Sequence, residues 1–471
     1  MTSRDILVVG FAVTGRAVAG WYADEGASVH AIDDVDPLSE RAGEMREAAS
    51  AAGADLLLRP DEVVLSKLAR AADRIVLSPG VPPTHRIFRL ASPERIVSEV
   101  QLGYELAADA GLPVVAVTGT NGKTTVVTLV AAMLGDSGVR ALPAGNIGRP
   151  LVELASRGGS EGLEVVVLEV SSFQLAWTTT FRPAVSSWLN FAPDHLDWHR
   201  DLHDYAAAKA RIWRNQGPDD VAVWNDEDPV VREAALAVRA RRLAVGLGLG
   251  SGHFRREGEL LVTPSGDGIV SIDELPRSLP HDLSNSLQAA AVALSAGGTL
   301  DGCALALKRG VPLTHRIELV GESGGVRYYD DSKATTPAAV LAAVCGFESV
   351  VLIAGGRNKG LDLRAIPAGL LAEEQSGAGP GLGRLRAVVA IGEAAAEITS
   401  AFESRVPVKA ASSMDEAVAA AHAVARPGDA VLLSPGCASF DWYRSYQERG
   451  KDFVRALQQF VEDGSTEGRT S

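Results

Sequence analysis

The chain has 471 residues, 46% of them hydrophobic and 22% charged, with a formal net charge of −14. At about 150 residues per domain this is enough for roughly three domains with filled cores, and the acidic balance excludes general binding to a nucleic-acid backbone. No apolar run reaches the ~20 residues of a membrane span, no signal-peptide pattern opens the sequence, and Cys303, Cys345 and Cys437 lack metal spacing, so a cytoplasmic protein with free thiols and no membrane contact is expected.

In chain order, residues 6–9 read as a strand, 15–26 as a helix, 29–32 as a second strand and 75–77 as a third. Asp33 and Asp34 close the second strand, where carboxylates can accept hydrogen bonds from a ribose or a base. The first turn, Gly10-Phe11-Ala12-Val13-Thr14-Gly15, lacks the middle glycine of G-x-G-x-x-G, so a nucleotide diphosphate on the helix N-terminus fits it better than a redox dinucleotide. Ser78-Pro79-Gly80 and the residues after it form a rigid turn at the same carboxyl edge.

A helical stretch over 99–110 leads into an apolar run at 113–117 and puts a domain boundary near residue 102. Gly119, Thr120, Asn121, Gly122, Lys123, Thr124 and Thr125 follow, ahead of a helical pattern through Val126, Leu129, Val130 and Met133. Glycines let backbone N–H groups close on phosphate oxygens, the helix N-terminus adds about half a positive charge, Lys123 adds a full one, and Thr124 offers a hydroxyl to Mg²⁺. A Walker A loop would have glycine at position 117, where this chain has Val117, so the loop is shorter than that of an ordinary P-loop NTPase.

Glu169 ends the apolar strand 165–168, where such folds place a carboxylate that holds Mg²⁺. The run 190–199 packs Asp194, His195, Asp197 and His199 into one loop; a dense single loop seldom builds a zinc site, and contacts to a second Mg²⁺ suit it better. Over 201–213, helical spacing puts Leu202, Tyr205, Lys209, Ile212 and Trp213 on one face. Lys209 there either snorkels to water or is a buried lysine of depressed pKa that CO₂ converts to a carbamate, whose oxygens a metal accepts.

Gly310-Val311-Pro312 marks a second boundary, and strands at 327–329, 350–353, 387–391 and 430–433 alternate with helical patterns after it. Asp331, Ser332, Lys333, Ala334 and Thr335 leave the first of these, and Thr336-Pro337 has the form of a helix start. Lys333, Lys359 and helix N-termini at one sheet edge make an anion pocket apart from the phosphate loop, the alternative being exposed lysines on unrelated loops. The Gly/Ser/Thr-rich tail from about 464 is expected to be disordered.

These segments, in this order, resemble the Mur ligases of peptidoglycan synthesis along nearly the whole chain, and among them the branch that adds D-glutamate. The resemblance rests on 119–125, Gly145-Asn146-Ile147-Gly148, 169–175, Asp194-His195-Leu196-Asp197, 281–285, Thr314-His315-Arg316 and Asp331-Ser332-Lys333-Ala334-Thr335. Asp282 and Thr336 stand where the family usually has asparagine, and Tyr446 is an inexact match.

The resemblance implies an α/β protein of three domains: a Rossmann-like UDP-binding domain over 1–102, a central P-loop-type ATP and Mg²⁺ domain over 103–312, and a Rossmann-like doubly wound amino-acid domain over 313–471. It implies ATP-dependent addition of D-glutamate to UDP-N-acetylmuramoyl-L-alanine through an acyl phosphate, by a monomer using two Mg²⁺ ions. Carried over by position, Thr14, Asp33, Asp34 and Ser78 hold the UDP part, while Asn146 and Gln174 face the muramoyl part. The loop 119–125 with Asn285, Arg316 and Asp331 binds ATP. Thr124 and Glu169 hold one Mg²⁺, and His195 with carbamylated Lys209 the other. Thr335, Lys359, Ser439 and Tyr446 hold D-glutamate, with Lys333 nearby, and Lys123, His195, Lys209 and Lys333 form the catalytic set. The alternatives are another amino-acid-adding Mur ligase, of which the diaminopimelate or lysine enzyme would carry an Asp-Asn-Pro-Arg motif that is absent here, and a folylpolyglutamate synthase-like ligase, against which residues 1–100 argue.

Overall fold

The computed structural model describes residues 4–156, 158–312, 314–377 and 379–467. They fall into two compact units: Met1–Phe191 with Trp198–Val311, and Ala192–Asp197 with Pro312–Ser471.

The first unit carries two parallel sheets. Strands β1 (Asp5–Val9), β2 (Ser28–Asp33), β3 (Asp55–Leu58), β4 (Arg74–Leu77) and β5 (Ile96–Ser98) pair in the order β3-β2-β1-β4-β5. The order reverses between β1 and β4, which opens a crevice at their carboxyl ends. Gly10 and Ser78 meet there: the Ser78 hydroxyl donates to the Gly10 carbonyl at 2.6 Å. Gly10 has φ +84°, and a Cβ on it would stand 2.9 Å from that of Ser78, so this crossing requires glycine. The helix Val13–Asp24 starts at the same edge with no side-chain cap and no acidic residue in its first turn, leaving its positive end open.

The second sheet runs β6 (Val114–Thr118), β7 (Ala141–Gly145), β8 (Val165–Glu169), β9 (Val185–Trp188), β10 (Val221–Asn225) and β11 (Arg241–Val245) in the order β11-β10-β9-β6-β8-β7. β6 is central, with β8 and β9 on either side, and β6 and β8 are buried along their whole length because both faces of the sheet are covered there. The register pairs Val117 with Glu169 and Thr118 with Trp188. That pairing delivers Glu169 and the residues after Trp188 to opposite flanks of the loop that leaves β6. A three-stranded antiparallel sheet, β12 (Arg255–Glu257), β13 (Leu260–Val262) and β14 (Gly268–Ser271), is added at 255–271.

The two parallel sheets are joined through the helix Glu99–Asp109. On it, Gln101 is buried, accepts from the Thr179 and Thr180 amides at 2.8 and 3.1 Å, and donates to the Thr180 hydroxyl at 2.6 Å. Arg74 on β4 grips Glu105 through two bonds of 2.7 and 2.6 Å. That bidentate pair holds the Glu105 carboxyl below its ordinary pKa against the opposing effect of burial.

The second unit has one sheet: β15 (Glu318–Ser323), β16 (Val326–Asp330), β17 (Val350–Gly355), β18 (Leu385–Ile391), β19 (Val408–Ala411) and β20 (Ala430–Gly436), ordered β15-β16-β20-β17-β18-β19. Only the edge pair β15–β16 is antiparallel. The final helix runs Tyr446–Glu467 and packs Phe453, Ala456 and Leu457 into the core. A packed amphipathic helix propagates readily past its last contact, so the first residues of the tail expected to be disordered are helical. Residues 468–471 lie outside the described residues.

Candidate nucleotide and metal site

The loop after β6 is braced from the next strand. The Asn190 side-chain oxygen accepts from the Thr120 and Asn121 amides at 3.1 and 2.9 Å, and its amide group donates back to the Asn121 carbonyl at 3.1 Å. Gly122 precedes the helix Lys123–Asp136 with φ +82°, and a Cβ on it would fall 2.5 Å from Oδ1 of Asn285. Asn285, on the helix Pro280–Ser295, therefore lies against the loop. Lys123 folds over the loop and donates to the Gly119 and Thr120 carbonyls, both at 2.8 Å.

Beside the loop, Glu169 is 2% exposed and gathers two partners. Thr124 Oγ1 donates to one carboxylate oxygen and Asn146 Nδ2 to the other, each at 2.9 Å. The Thr124 hydroxyl at the start of the helix Lys123–Asp136 and the Glu169 carboxylate at the end of β8 are hard oxygen donors, the type Mg²⁺ selects, so the residues present fit that ion.

Lys209 is 1% exposed, so it does not snorkel. Its Nζ donates to the Gly119 carbonyl at 2.7 Å and stands 4.6 Å from the centre of the Tyr205 ring. Tyr205 in turn places its hydroxyl 3.2 Å from that of Thr120. The helix is Leu202–Ala210 followed by a tighter turn, Arg211–Trp213, and of the expected apolar face only Leu202 is exposed. His199 is withdrawn from metal binding: its ring nitrogens face Ser172 Oγ at 2.9 Å and Asp204 at 3.3 Å.

At the crevice of the first sheet, both Asp33 oxygens are engaged by backbone, accepting from Phe11 N at 2.8 Å and Val35 N at 3.1 Å. Asp34 is exposed and lies 3.4 Å from His85 and 3.7 Å from Arg86. Burial holds the His85 pKa below its usual value in spite of the neighbouring Asp34. Thr14 is half-buried in the first turn of Val13–Asp24. Gln174 is buried, and its Oε1 closes a capping box with Ser171 at 2.9 Å, so its oxygen serves the helix start.

The second unit holds the remaining candidates at the carboxyl ends of its strands. The segment Ala192–Asp197 belongs to it. Within that segment, His195 has φ +57°, and Asp194 accepts from its amide at 2.8 Å and lies 3.2 Å from Nε2. Lys359 Nζ stands 3.9 Å from the same carboxylate. Asp331 accepts from Ser434 Oγ at 2.8 Å, Thr335 is half-buried, Ser439 is buried, and Arg316 is half-buried. Lys333 Nζ lies 5.4 Å from the Tyr446 ring centre, a cation–π distance. Thr336 caps Pro337–Val344 by accepting from Ala339 N at 3.3 Å, so the residue that departs from the family pattern keeps a capping role.

A Mur ligase middle domain matches residues 117–293, and a Mur ligase, glutamate ligase domain matches 315–437. The UDP-N-acetylmuramoylalanine–D-glutamate ligase of Desulfosudis oleivorans is 39% identical over 475 residues, which covers 99% of this chain and 98% of that one. The enzyme of the same name from Rubrobacter xylanophilus is 43% identical over 392 residues, 81% of this chain and 84% of that one. This chain belongs to the Mur ligase family. In fold, MurF from Acinetobacter baumannii is similar with a TM-score of 0.60 at 18% identity, over 95% of this chain and 93% of that one.

Two polar residues beside candidate positions, one in each unit, carried no role in the sequence. Asn190 opens the run 190–199 without a role of its own there, although a polar residue leaving the strand beside β6 was the available signal. Arg449 is 1% exposed on the final helix and donates to the Ser332 hydroxyl at 3.0 Å, the Ser332 carbonyl at 2.8 Å and the Cys437 carbonyl at 3.1 Å. It locks the segment before Lys333 to the turn before Ser439, and burial lowers its pKa to about 10. No described helix is long and apolar enough to cross a membrane.

Proposed function

We propose that this Mur ligase uses ATP to join D-glutamate to UDP-N-acetylmuramoyl-L-alanine, with residues 1–102 holding the UDP part, 103–312 holding ATP and 313–471 holding the amino acid. The observation that carries the reading is the convergence of Lys123, Thr124, Glu169 and Asn146 at the loop after β6, in a chain that aligns end to end with D-glutamate ligases.

An amine does not displace oxide from a carboxylate. The L-alanyl carboxylate therefore attacks the γ-phosphorus of ATP, the bond to the β-phosphate oxygen breaks, and ADP leaves an acyl phosphate behind. Thr124 and Glu169 would hold Mg²⁺, with a second ion in this reading at His195 and Lys209, and the metal would supply positive charge to offset that of the anions that must meet. Lys123 leaves the loop carbonyls for the phosphates, and the amides of the loop, preset by Asn190, hold the transferring group in line. The D-glutamate amine then attacks the acyl carbon, and the tetrahedral species expels phosphate. Lys359, Thr335 and Ser439 hold the D-glutamate carboxylates, and Lys333 and Tyr446 border that pocket. His195, oriented by Asp194, accepts the amine proton. Asp331 and Asn285 take the nucleoside of ATP, and Arg316 its phosphates. Lys209, as its carbamate, adds oxygens to the metal site. The enzyme acts as a monomer in the cytoplasm, where ATP is supplied.

The test is isotopic. With ¹⁸O in the L-alanyl carboxylate, released phosphate acquires one labelled oxygen if an acyl phosphate forms; unlabelled phosphate would contradict the sequence of steps.

A further inference from the structure

Glu99 is a carboxylate with no part in the steps above, yet it is 1% exposed. Its Oε1 accepts from the Val152 amide at 2.8 Å, in the first turn of the helix Leu151–Ala155, which follows Pro150 and has no side-chain cap of its own. The two helices approach closely because position 103 is glycine: a Cβ there would stand 2.6 Å from Leu151 Cγ and 2.9 Å from Val152 N. Burial raises the Glu99 pKa to about 7, the Val152 and Leu151 amides oppose the rise, and the like-charged Glu153 adds to it. A buried carboxylate answered only by amides is a costly way to cap a short helix.

The helix it caps follows the loop that presents Asn146. At the other end of that loop, the Asn146 amide donates to the Glu169 carbonyl and its side chain to the Glu169 carboxylate, both at 2.9 Å. Gly145 N closes the turn onto the Arg149 carbonyl at 2.9 Å. Residues 145–152 are thus held by Glu169 at one end and Glu99 at the other.

We propose that Glu99 is a positioning residue: by anchoring the first turn of Leu151–Ala155 it sets where Asn146 meets Glu169 and the nucleotide substrate. The inference rests on the reading of Asn146 as substrate-facing. Removing the anchor loosens the loop without touching the amino-acid pocket.

The experiment measures KM for UDP-N-acetylmuramoyl-L-alanine and for D-glutamate in the wild type, Glu99→Ala, Glu99→Gln, Asn146→Ala and the Glu99→Ala/Asn146→Ala double variant. Glu99→Ala raises KM for the nucleotide substrate about tenfold, the lower end for residues that orient a site from outside it, and leaves KM for D-glutamate unchanged. Glu99→Gln, which keeps the acceptor, restores most of the loss and shows that the fold survives. The double variant is no worse than Asn146→Ala alone. A wild-type KM in Glu99→Ala beside an impaired Asn146→Ala would overturn the proposal alone, as would additive effects or an equal rise in both KM values. A wild-type KM in Asn146→Ala would defeat the reading of Asn146 and the proposal with it.

Discussion

The Lys209 ammonium nitrogen lies 2.7 Å from the Gly119 carbonyl oxygen. Lys123 donates to the same oxygen at 2.8 Å, so one backbone carbonyl of the loop after β6 gathers Lys123 and Lys209. The helix Leu202–Ala210 and the loop after β6 are thereby tied at Gly119, and Tyr205 ties them again at Thr120. The proposed carbamate at this buried lysine is open to a direct test.

Lys209→Ala is expected to lower kcat by about 10²-fold or more, the scale of a lost electrostatic contributor to phosphoryl transfer. Short carboxylic acids added to the variant restore part of the activity, because they supply the missing oxygens. Steady-state kinetics with and without acetate checks this, and unchanged activity in the variant would remove Lys209 from the site.

Asn190→Ala removes the side-chain oxygen that the Thr120 and Asn121 amides share, while the Thr120 amide keeps the Asn190 backbone carbonyl at 3.1 Å. At about 1 kcal/mol for each hydrogen bond lost, the loop gives up part of its preset shape. KM for ATP is expected to rise at least tenfold while KM for D-glutamate stays within twofold, as read from initial rates.

Gly122→Ala combines a backbone at φ +82° with a Cβ placed 2.5 Å from Asn285 Oδ1. The strain is of the order of 1–3 kcal/mol, and relief requires Asn285 to move from the loop. Calorimetric titration with ADP is expected to show binding weakened by about tenfold or more, whereas Gly138→Ala, where no atom lies within 4 Å of the added Cβ, carries backbone strain alone and leaves ADP binding unchanged.

The pKa of Glu99 in the fold, about 7, lies above its ordinary value of 4.5. The folded state binds this proton more tightly, so the associated stability is fully present below 4.5 and is lost as pH rises through 7. At 1.36 kcal/mol per unit the loss is about 3 kcal/mol. Glu99→Gln lacks this loss, so its melting temperature relative to the wild type should climb between pH 4.5 and 8, by several degrees. A constant difference across that range would contradict the assignment.

Much of this architecture is legible in the sequence, for a physical reason. Strands buried on both faces, such as Val165–Glu169 and Val350–Gly355, read as unbroken apolar runs. Edge strands do not: Ala141–Gly145 carries Pro143 and an exposed Leu142, and Asp55–Leu58 is only partly covered. The small sheet at 255–271 was unforeseen because three- and four-residue strands rest on pairing more than on pattern. At the site, Lys123, Thr124 and Glu169 are legible because their chemistry belongs to strand ends. Asn190 and Glu99 are not, because what they hold is distant in sequence: the Glu99–Val152 bond spans 53 residues. Gln174 is the reverse case, a polar residue whose motif pointed to substrate and whose oxygen closes a helix cap.

The central claim, a ligase that adds D-glutamate to a UDP-linked L-alanyl carboxylate, is tested most directly by ATP-dependent phosphate release with UDP-N-acetylmuramoyl-L-alanine and a panel of D- and L-amino acids. Release that requires both the nucleotide substrate and D-glutamate is the predicted result. Release with L-glutamate in place of D-glutamate, or with a folate in place of the nucleotide, would contradict it.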